Sequence, residues 1–343
     1  MRNASWDDLV NIIRGKDIGY LPAGFIIDSP WIPGWYGISK VDYYSSDELW
    51  FRSNLKVVNL YPDVWFMPGF WSEYGMCTEP SAFGSRMVFL EESLPHADKV
   101  IRDISETDLL PQPNVKTDGL LPFIINRLRR TEKEIIKADH QIRFAVARGP
   151  LNIASFLMGT TEFMMALAMN PDESHRLLRK ITIFLCDWLQ WQKECFPSID
   201  GVLILDDIIG FVGEEEFREF VLPYFKEIFS CTGTTVRFLH NDADGLITAG
   251  FLKEMGVNVF NFSFQHSMGD IRQLCGNDVV LLGNIPPRDV MAAGTPEDVK
   301  NAVNKAFSET DDYRRIIWSV GGGMPPDVKD ENIQAFIETV KNQ

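Results

Sequence analysis

Short apolar runs, each bounded by glycine or polar residues, recur along the whole chain. Eight of them are rich in β-branched and aromatic residues and nearly continuous in apolar character, with no polar alternation. They lie at 22–27, 63–67, 142–147, 201–205, 235–239, 257–262, 278–283 and 315–320. Strands that are buried on both faces have this pattern, and parallel sheets bury both faces. The pattern therefore predicts eight parallel strands.

Amphipathic segments with helical spacing lie between the later runs. They cover 171–196, 214–231, 295–307 and 329–343, and several begin with a cap residue, a proline or first-turn acids. Strands that alternate with helices predict an α/β fold, a single (β/α)8 TIM barrel. We expect one domain over 1–343, with an N-terminal helical extension at 1–21 and a helical insertion around 84–141 that flanks the barrel.

Two segments after the first two strands are rich in Trp, Tyr, Pro and Gly. They are SPWIPGWYGISKVDYY (29–44) and MPGFWSEYGM (67–76), and neither shows helical or strand periodicity. We interpret both as ordered aromatic loops. Because loops after barrel strands lie at the mouth of the barrel, we expect them to form a hydrophobic rim there.

Charge and composition exclude several classes of partner. The net charge is −15, with 48 acidic and 33 basic residues, which argues against nucleic acid or an anionic membrane surface. No apolar run reaches the length of a membrane span, and the first residues have no apolar signal region. Five scattered cysteines without a CxxC pair are typical of reduced thiols. We therefore expect a cytoplasmic protein.

Polar residues end the apolar runs abruptly, and in a barrel these positions face a shared cavity at the carboxyl ends of the strands. In chain order they are Asp28 and Ser29; Phe70, Trp71, Glu73 and Tyr74; Arg148 and Gly149; Asp206 and Asp207; His240, Asn241 and Asp242; Ser263, Gln265 and His266; Asn284; and Gly321, Gly322 and Gly323. The glycines either form a tight turn or let the backbone approach a ligand.

Two chemical interpretations of these strand ends remain open. A neutral imidazole with two or three carboxylates is a ligand set for zinc or another divalent ion at an open catalytic site. Without a metal, the same groups can act as general acid and base, and the catalytic candidates are Asp206, Asp207 and His240. A structural interpretation also exists, in which the acidic pair caps a helix and His240 is a hydrogen-bonded strand-end histidine. We interpret Asp244, before Gly245, as a turn residue.

Several segments beyond residue 140 form a recognisable set: ARGPLNIASFLMG, GVLILDDIIGF, EEFREFVLPYFKEI, HNDADGLITAGFLKEMGVNVFNF, VVLLGNIPPRDVMAAGTPEDVKNAV and GGGMPPDVKDENIQAFIETV. In these segments the chain resembles the uroporphyrinogen decarboxylase superfamily, and a looser resemblance extends to YPDVWF and EPSAFG nearer the N-terminus. The resemblance implies a (β/α)8 barrel and one of two chemistries. One branch decarboxylates uroporphyrinogen without a cofactor, and the other contains zinc-dependent methyltransferases that exchange methyl groups with a corrinoid protein.

Departures from the decarboxylase pattern favour the methyl-transfer branch. The arginine-rich segment that receives the substrate's carboxylates in decarboxylases is here IDSPWIPGWYGIS, which has no arginine. Gly75 or its neighbours replace the decarboxylase acid near the second strand, Phe156 stands for its tyrosine, and Gly322 for its last-loop histidine. Coenzyme-M-type methyltransferases hold zinc with His-x-Cys and a distant cysteine, where this chain has His240-Asn241-Asp242 and Gly322. The histidine is kept and both sulfurs are absent.

The resemblance thus implies a methyltransferase subunit that activates a small O- or N-methylated compound for transfer to cobalamin on a partner corrinoid protein. The implied zinc ligands are His240, Asp242, Asp207 and, on the intervening helix, Glu219. The predicted substrate-binding residues are Trp31, Trp35, Phe70, Trp71, Tyr74, Asn284 and Gly322. A homodimer is compatible with this interpretation. The alternatives are a metal-free decarboxylase and a binding barrel that has lost its catalytic residues.

Overall fold

The computed structural model describes residues 1–343, and its centre is one curled sheet of eight parallel strands. The strands are β1 (Ala23–Ile26), β2 (Val64–Met67), β3 (Phe144–Arg148), β4 (Gly201–Leu205), β5 (Val236–Asn241), β6 (Val259–Phe262), β7 (Val280–Ile285) and β8 (Ile316–Val320). They hydrogen-bond in the order β2, β1, β8, β7, β6, β5, β4, β3. All eight coincide with the predicted runs, and the prediction of an α/β barrel is confirmed.

Helices follow the strands and cover the outside of the sheet. The α-helices are Asn3–Ile13, Ile32–Tyr36, Lys40–Ser45, Asp47–Leu60, Thr78–Ala82, Leu121–Lys137, Pro150–Met158, Thr160–Met169, Pro171–Cys195, Glu214–Glu216, Leu222–Cys231, Leu246–Met255, Met268–Cys275, Pro296–Ser308 and Asp330–Lys341. Short 3₁₀ segments lie at Ile104–Leu109 and Ile208–Phe211, and π-helical turns at Phe217–Val221 and Pro287–Ala292. No single helix is long and apolar enough to span a membrane, and one helix pair (150–158 and 160–169) meets that criterion jointly but is bent by 110°.

The flanking segment 84–141 is helical only in part. Its long helix, Leu121–Lys137, and the 3₁₀ segment follow a small antiparallel ribbon made of Met87–Val88 and His96–Ala97. The predicted aromatic loop at 29–44 is also partly wrong, because it contains the two short helices Ile32–Tyr36 and Lys40–Ser45. The second predicted loop, 67–76, contains no regular helix.

Alternation along each strand divides the apolar side chains into two cores. On β4, Leu203 and Leu205 belong to the core inside the barrel, while Val202 and Ile204 pack outward against the helices. Because successive strand side chains point to opposite faces, the residue that follows each strand also has a defined side. The N-terminal helix Asn3–Ile13 contributes Trp6 to the inner core. The barrel interior is therefore packed, and a ligand has room only at the ends of the strands.

Strands β2 and β3 are the two ends of the hydrogen-bonded order, so the outer edge of β3 has no partner strand. Two side chains make the hydrogen bonds that a partner strand would otherwise make. Gln192, from the helix Pro171–Cys195, accepts a hydrogen bond from the Val146 N–H and donates one to the Val146 carbonyl, both at 3.0 Å. Glu79 accepts from the Arg148 N–H at 3.1 Å. Buried backbone groups need partners, and these two side chains satisfy the open edge.

Replacing Gln192 by Met is expected to lower the free energy of unfolding by about 2–4 kcal/mol, since two buried backbone groups lose their partners. Gln190, on the same helix, is exposed and donates to the Cys231 carbonyl at 3.1 Å. The matched Gln190→Met variant should differ from wild type by less than about 1 kcal/mol. Urea denaturation of both variants checks this, and equal destabilisation would show that Gln192 does not close the edge.

Candidate functional site

A cavity of about 510 Å³ opens at the carboxyl ends of β1, β3, β4 and β5. Its lining is strongly polar and holds no Phe, Tyr or Trp; the ionisable members are Asp28, Lys40, Glu92, Arg148, Asp207, His240, Asp242 and Arg288. The rest of the wall includes Met76, Leu94 and the Gly323–Pro326 turn. We call this space the carboxyl-end cavity. A larger cavity of about 860 Å³ lies near Tyr20 and Trp65 and has no histidine or cysteine in its lining.

Asp207, His240 and Asp242 form a compact cluster in this cavity. His240 Nε2 lies 3.7 Å from Asp207 Oδ1 and 3.9 Å from Asp242 Oδ2. The Asp242 N–H donates to Asp207 Oδ1 at 3.1 Å, which holds the two loops together. One ligand atom from each of the three residues lies within 4.8 Å of the other two. The three side chains can therefore bind one metal ion between them.

The orientation of His240 is fixed by an asparagine below it. His240 Nδ1 and Asn261 Oδ1 are 2.7 Å apart, and Asn261 Nδ2 donates to the carbonyls of Leu282 and Val320 at 2.8 and 3.1 Å. Because its amide nitrogen already donates to two carbonyls, the Asn261 oxygen is left to accept a hydrogen bond from the Nδ1–H. In the neutral ring Nε2 then carries the lone pair, and it is directed at the two aspartates. An imidazole held in this way is typical of a metal ligand.

The adjacent aspartates have different roles because they lie on opposite faces of β4. Asp207 continues the inward series of Leu203 and Leu205 and joins the cavity. Asp206 is fully buried and points to the helical side, where its carboxylate accepts from the N–H groups of Leu151, Asn152 and Ile208 at 2.9–3.2 Å. It thereby caps the helix Pro150–Met158. The structure separates Asp206 from the catalytic group in which the sequence placed it.

Gly322 contributes space to the cluster. Its φ is +137°, and a Cβ at this position would lie 2.9 Å from Asp242 Oδ2. A larger residue would push the Asp242 carboxylate away from His240. Gly322 therefore lies next to the cluster, and its role there is to leave room for a ligand group.

Two further charged groups face the cavity from β1 and β3. Burial, reinforced by Glu73, raises the pKa of Asp28 to about 7, and Arg148 and His240 partly oppose this. Burial also raises the pKa of Asp207, with His240 acting in the opposite direction. Asp28 and Arg148 occupy the inward register of their strands, following Ile26 and Val146 of the inner core. A carboxyl group with a pKa near neutrality can carry a proton into the cavity.

The predicted aromatic rim lies elsewhere. Trp31 is 1% exposed and donates to the Val328 carbonyl, while Trp35 donates to Asp330, so both pack beside the C-terminal helix. Phe70 is core, in contact with the rings of Trp50, Phe51 and His140. Trp71 donates to the Ile27 carbonyl and belongs to the inner core. The indole nitrogens of Trp31, Trp35 and Trp71 therefore donate to acceptors within the protein, and none of the three rings lines the cavity.

Three other predicted site residues are also outside the cluster. Glu219 is half-exposed and lies 3.4 Å from His175 Nε2, so the prediction that it binds the metal is not supported by its position. Tyr74 stacks on Tyr44 and lines a separate cavity of about 800 Å³. Asn284 lines a neighbouring cavity of about 420 Å³.

Some residues of the site did not stand out in the sequence. Asn261 lies inside an apolar strand, and its signal is a single polar side chain at the inward register, two positions after Val259. Arg288 and Lys40 are not among the polar residues that directly end an apolar run, so the sequence pattern did not mark them as site residues. Their place in the cavity depends on how the long loops fold.

Comparisons with known proteins agree on the family. The profile of the uroporphyrinogen decarboxylase (URO-D) family matches residues 36–343. The uroporphyrinogen decarboxylase of Chloroherpeton thalassium is 26% identical over 276 residues, covering 77% of this chain and 76% of that protein. The one from Dichelobacter nodosus is 24% identical over 269 residues, covering 77% of this chain and 75% of that protein.

Solved structures share the fold. A methyltransferase from Methanosarcina mazei superimposes with a TM-score of 0.82 at 16% identity, over 97% of both chains. A B12-independent methionine synthase from a Shewanella species gives a TM-score of 0.53 at 9% identity, over 94% of this chain and 96% of that one. The family profile spans nearly the whole chain, including all strands after β1. The chain therefore belongs to the uroporphyrinogen decarboxylase family.

Proposed function

We propose that the protein is a metal-dependent methyltransferase that activates a small O- or N-methylated compound for methyl transfer to a corrinoid carried by a partner protein. The observation that carries this proposal is His240, whose Nε2 faces Asp207 and Asp242 while Asn261 holds Nδ1. A histidine that served only to support the strand would not need its second ring nitrogen directed at two carboxylates. In metal-free decarboxylation the same groups would act as general acid and base, so the need for metal is what separates the two chemistries.

The donor set fits zinc. Tetrahedral zinc with bonds of about 2.0–2.1 Å to nitrogen and oxygen places neighbouring ligand atoms about 3.3 Å apart. The distances of 3.7 and 3.9 Å from His240 Nε2 to the two carboxylates need to shorten by only a few tenths of an ångström. Three protein ligands leave the fourth position free, which is the arrangement of catalytic zinc sites. His240, Asp207 and Asp242 would hold the ion.

Bound zinc would act as a Lewis acid on the oxygen or nitrogen that leaves the methyl group. The chain's own residues complete the site. Asp28, with a pKa of about 7, faces the same cavity and can supply a proton to the leaving atom. The packed interior beneath the cavity keeps bulk water from the reacting groups on that side. The partner's corrinoid would supply the nucleophile that accepts the methyl group, and the proton from Asp28 would neutralise the oxygen or nitrogen that is left behind.

Metal-free decarboxylation remains the second candidate because Arg148 and Arg288 line the cavity and could receive carboxylates. The relatives named uroporphyrinogen decarboxylase also support it. Against it, the segment 27–39 contains no arginine. The two candidates differ in their need for metal.

Zinc-loaded protein is expected to transfer methyl groups to free cob(I)alamin from at least one of methanol, trimethylamine, 2-methoxyphenol or methoxyacetate. The reaction is followed by the loss of cob(I)alamin absorbance. A chelator should abolish the reaction and zinc should restore it. The His240→Ala variant should be slower by more than about 100-fold, because its metal ligand is lost. Decarboxylation of uroporphyrinogen by the chelated protein, without methyl transfer to cobalamin from any of these donors, would contradict the proposal.

A further inference from the structure

Two guanidinium groups in the carboxyl-end cavity have no partner in the protein. Arg148 uses its backbone N–H to bind Glu79 at 3.1 Å, but its side chain makes no hydrogen bond and no ion pair within 4.0 Å. Arg288, on the π-helical turn at the cavity rim, is likewise without a side-chain partner. Most of the other arginines in the chain bind carboxylates or carbonyls, such as Arg127 with Asp47. Arg14 and Arg102 also lack side-chain partners, but they are exposed, as is Arg288, so the unpaired state is unusual only for the half-buried Arg148.

The position of Arg148 makes its unpaired state informative. It follows Phe144 and Val146 in the inward register of β3, so its side chain enters the cavity from the barrel wall. It is half-buried, and partial removal from water is unfavourable for a cation without a partner. The carboxylates around it attract it from a distance, yet none comes within ion-pair range. The guanidinium fork is left free for a group that arrives with the substrate.

The charged side chains of the cavity indicate the sign of that group. Four carboxylates line it (Asp28, Glu92, Asp207 and Asp242) against three cations (Lys40, Arg148 and Arg288). The sum is slightly negative, but no carboxylate comes within ion-pair range of either guanidinium group. A small anion that pairs with one of these guanidinium groups therefore meets a local positive charge that the protein leaves unneutralised. Since no Phe, Tyr or Trp ring lines the cavity, a stacking substrate has no platform there.

We propose that the cavity binds a small methylated compound that carries a carboxylate, which Arg148 receives and Arg288 supports at the rim. This inference deepens the proposed function by naming its substrate class, and rests on that function only in treating the cavity as the substrate site. Arginine binds carboxylates through two parallel hydrogen bonds, which also fixes the orientation of the ligand. The carboxylate at Arg148 would leave the methylated end free to reach the cluster at His240. Arg148 is a specificity-determining residue in this account.

The test measures binding by calorimetry, in metal-free protein, of three probes of similar size: methoxyacetate, neutral methoxyacetamide and methyl phosphate. Wild-type protein should bind methoxyacetate about 10-fold more tightly than methoxyacetamide, which corresponds to 1.4 kcal/mol. The Arg148→Gln variant should lose this preference, Arg148→Lys should keep part of it, and Arg288→Gln should weaken it by about 3-fold. Because the Arg148 side chain makes no hydrogen bond or ion pair, the melting temperature of these variants should match wild type.

Two controls separate this proposal from the proposed function. Arg218→Gln removes an exposed arginine that pairs with Glu214, and it should bind the probes like wild type. His240→Ala should keep the methoxyacetate preference in metal-free protein, even if zinc binding and methyl transfer fail. The proposal is overturned by equal affinity of wild type for methoxyacetate and methoxyacetamide, by no binding of any probe at high millimolar concentration, by tighter binding of methyl phosphate, or by an unchanged preference in Arg148→Gln.

Discussion

Replacing His240 by alanine is expected to abolish stoichiometric zinc binding while leaving the barrel folded. The side chain is nearly buried, yet its Nε2 faces the cavity and makes no contact that supports a strand. Loss of one of three ligands leaves two carboxylates, which hold zinc weakly in water. Elemental analysis after dialysis against zinc, together with circular dichroism, measures both effects.

The hydrogen bond from Nδ1 should matter as well. The Asn261→Leu variant removes the group that fixes the tautomer of His240, so its zinc affinity should fall by about 10–100-fold. His175→Ala and Glu219→Gln are the controls, since this exposed pair lies outside the cluster. Both should bind zinc like wild type. Full zinc occupancy in His240→Ala, or equal loss in the controls, would show that the ion is bound elsewhere.

Acid should weaken the same site. Burial raises the pKa of Asp207 above its ordinary value, so protons compete with the metal for its carboxylate as the pH falls. Zinc affinity is therefore expected to decrease from neutral to mildly acidic pH.

The second large effect is a difference between the two adjacent aspartates, one of which should matter for stability and the other for zinc binding. Asp206→Ala should lower the free energy of unfolding by about 2–3 kcal/mol, because three backbone N–H groups at a helix start lose their acceptor. Its zinc content should be unchanged. Asp207→Asn should have the reverse phenotype, with stability within about 1 kcal/mol of wild type and zinc binding lost. Urea denaturation and zinc analysis of the two variants give all four values.

The loss of unfolding free energy in Asp206→Ala should also depend on pH. Burial raises its pKa to about 8, far above the value of the unfolded chain, despite the opposing backbone N–H groups. A raised folded-state pKa gives stability that is present in acid and is lost as the pH rises through about 8. The difference between wild type and Asp206→Ala should therefore shrink from pH 6 to pH 9. Zinc loss in Asp206→Ala with unchanged stability would contradict the division of roles.

The strands could be predicted because both of their faces are buried, and this same property hid the site. In GVLILDD every residue before the acids is apolar, so the sequence does not show which acid faces inward. Only the structure reveals that Asp207 continues the inner series and Asp206 the outer one. His240 and Asp242 were identifiable because polar residues end their strand abruptly. Asn261 was not, since one polar residue in a strand predicts nothing without its neighbours.

The prediction that 29–44 is a loop was partly wrong for a different reason. Helices of five and six residues are too short to show a periodic pattern, so 29–44 resembled a loop. From sequence alone, a tryptophan is equally compatible with a cavity rim and with a core. In the structure Trp31 donates to Val328 and Trp35 to Asp330, which places both beside the C-terminal helix. Of the cations that line the cavity instead, Arg148 was visible as a strand end, whereas Lys40 on a short helix and Arg288 on a π-helical turn had no local pattern to mark them.

X-ray absorption at the zinc edge of the zinc-loaded protein tests the central claim most directly. We expect one equivalent of zinc with only nitrogen and oxygen neighbours at about 2.0–2.2 Å, including a single imidazole that disappears in His240→Ala. Absence of bound zinc after metal-replete purification, or sulfur neighbours at about 2.3 Å, would contradict the account.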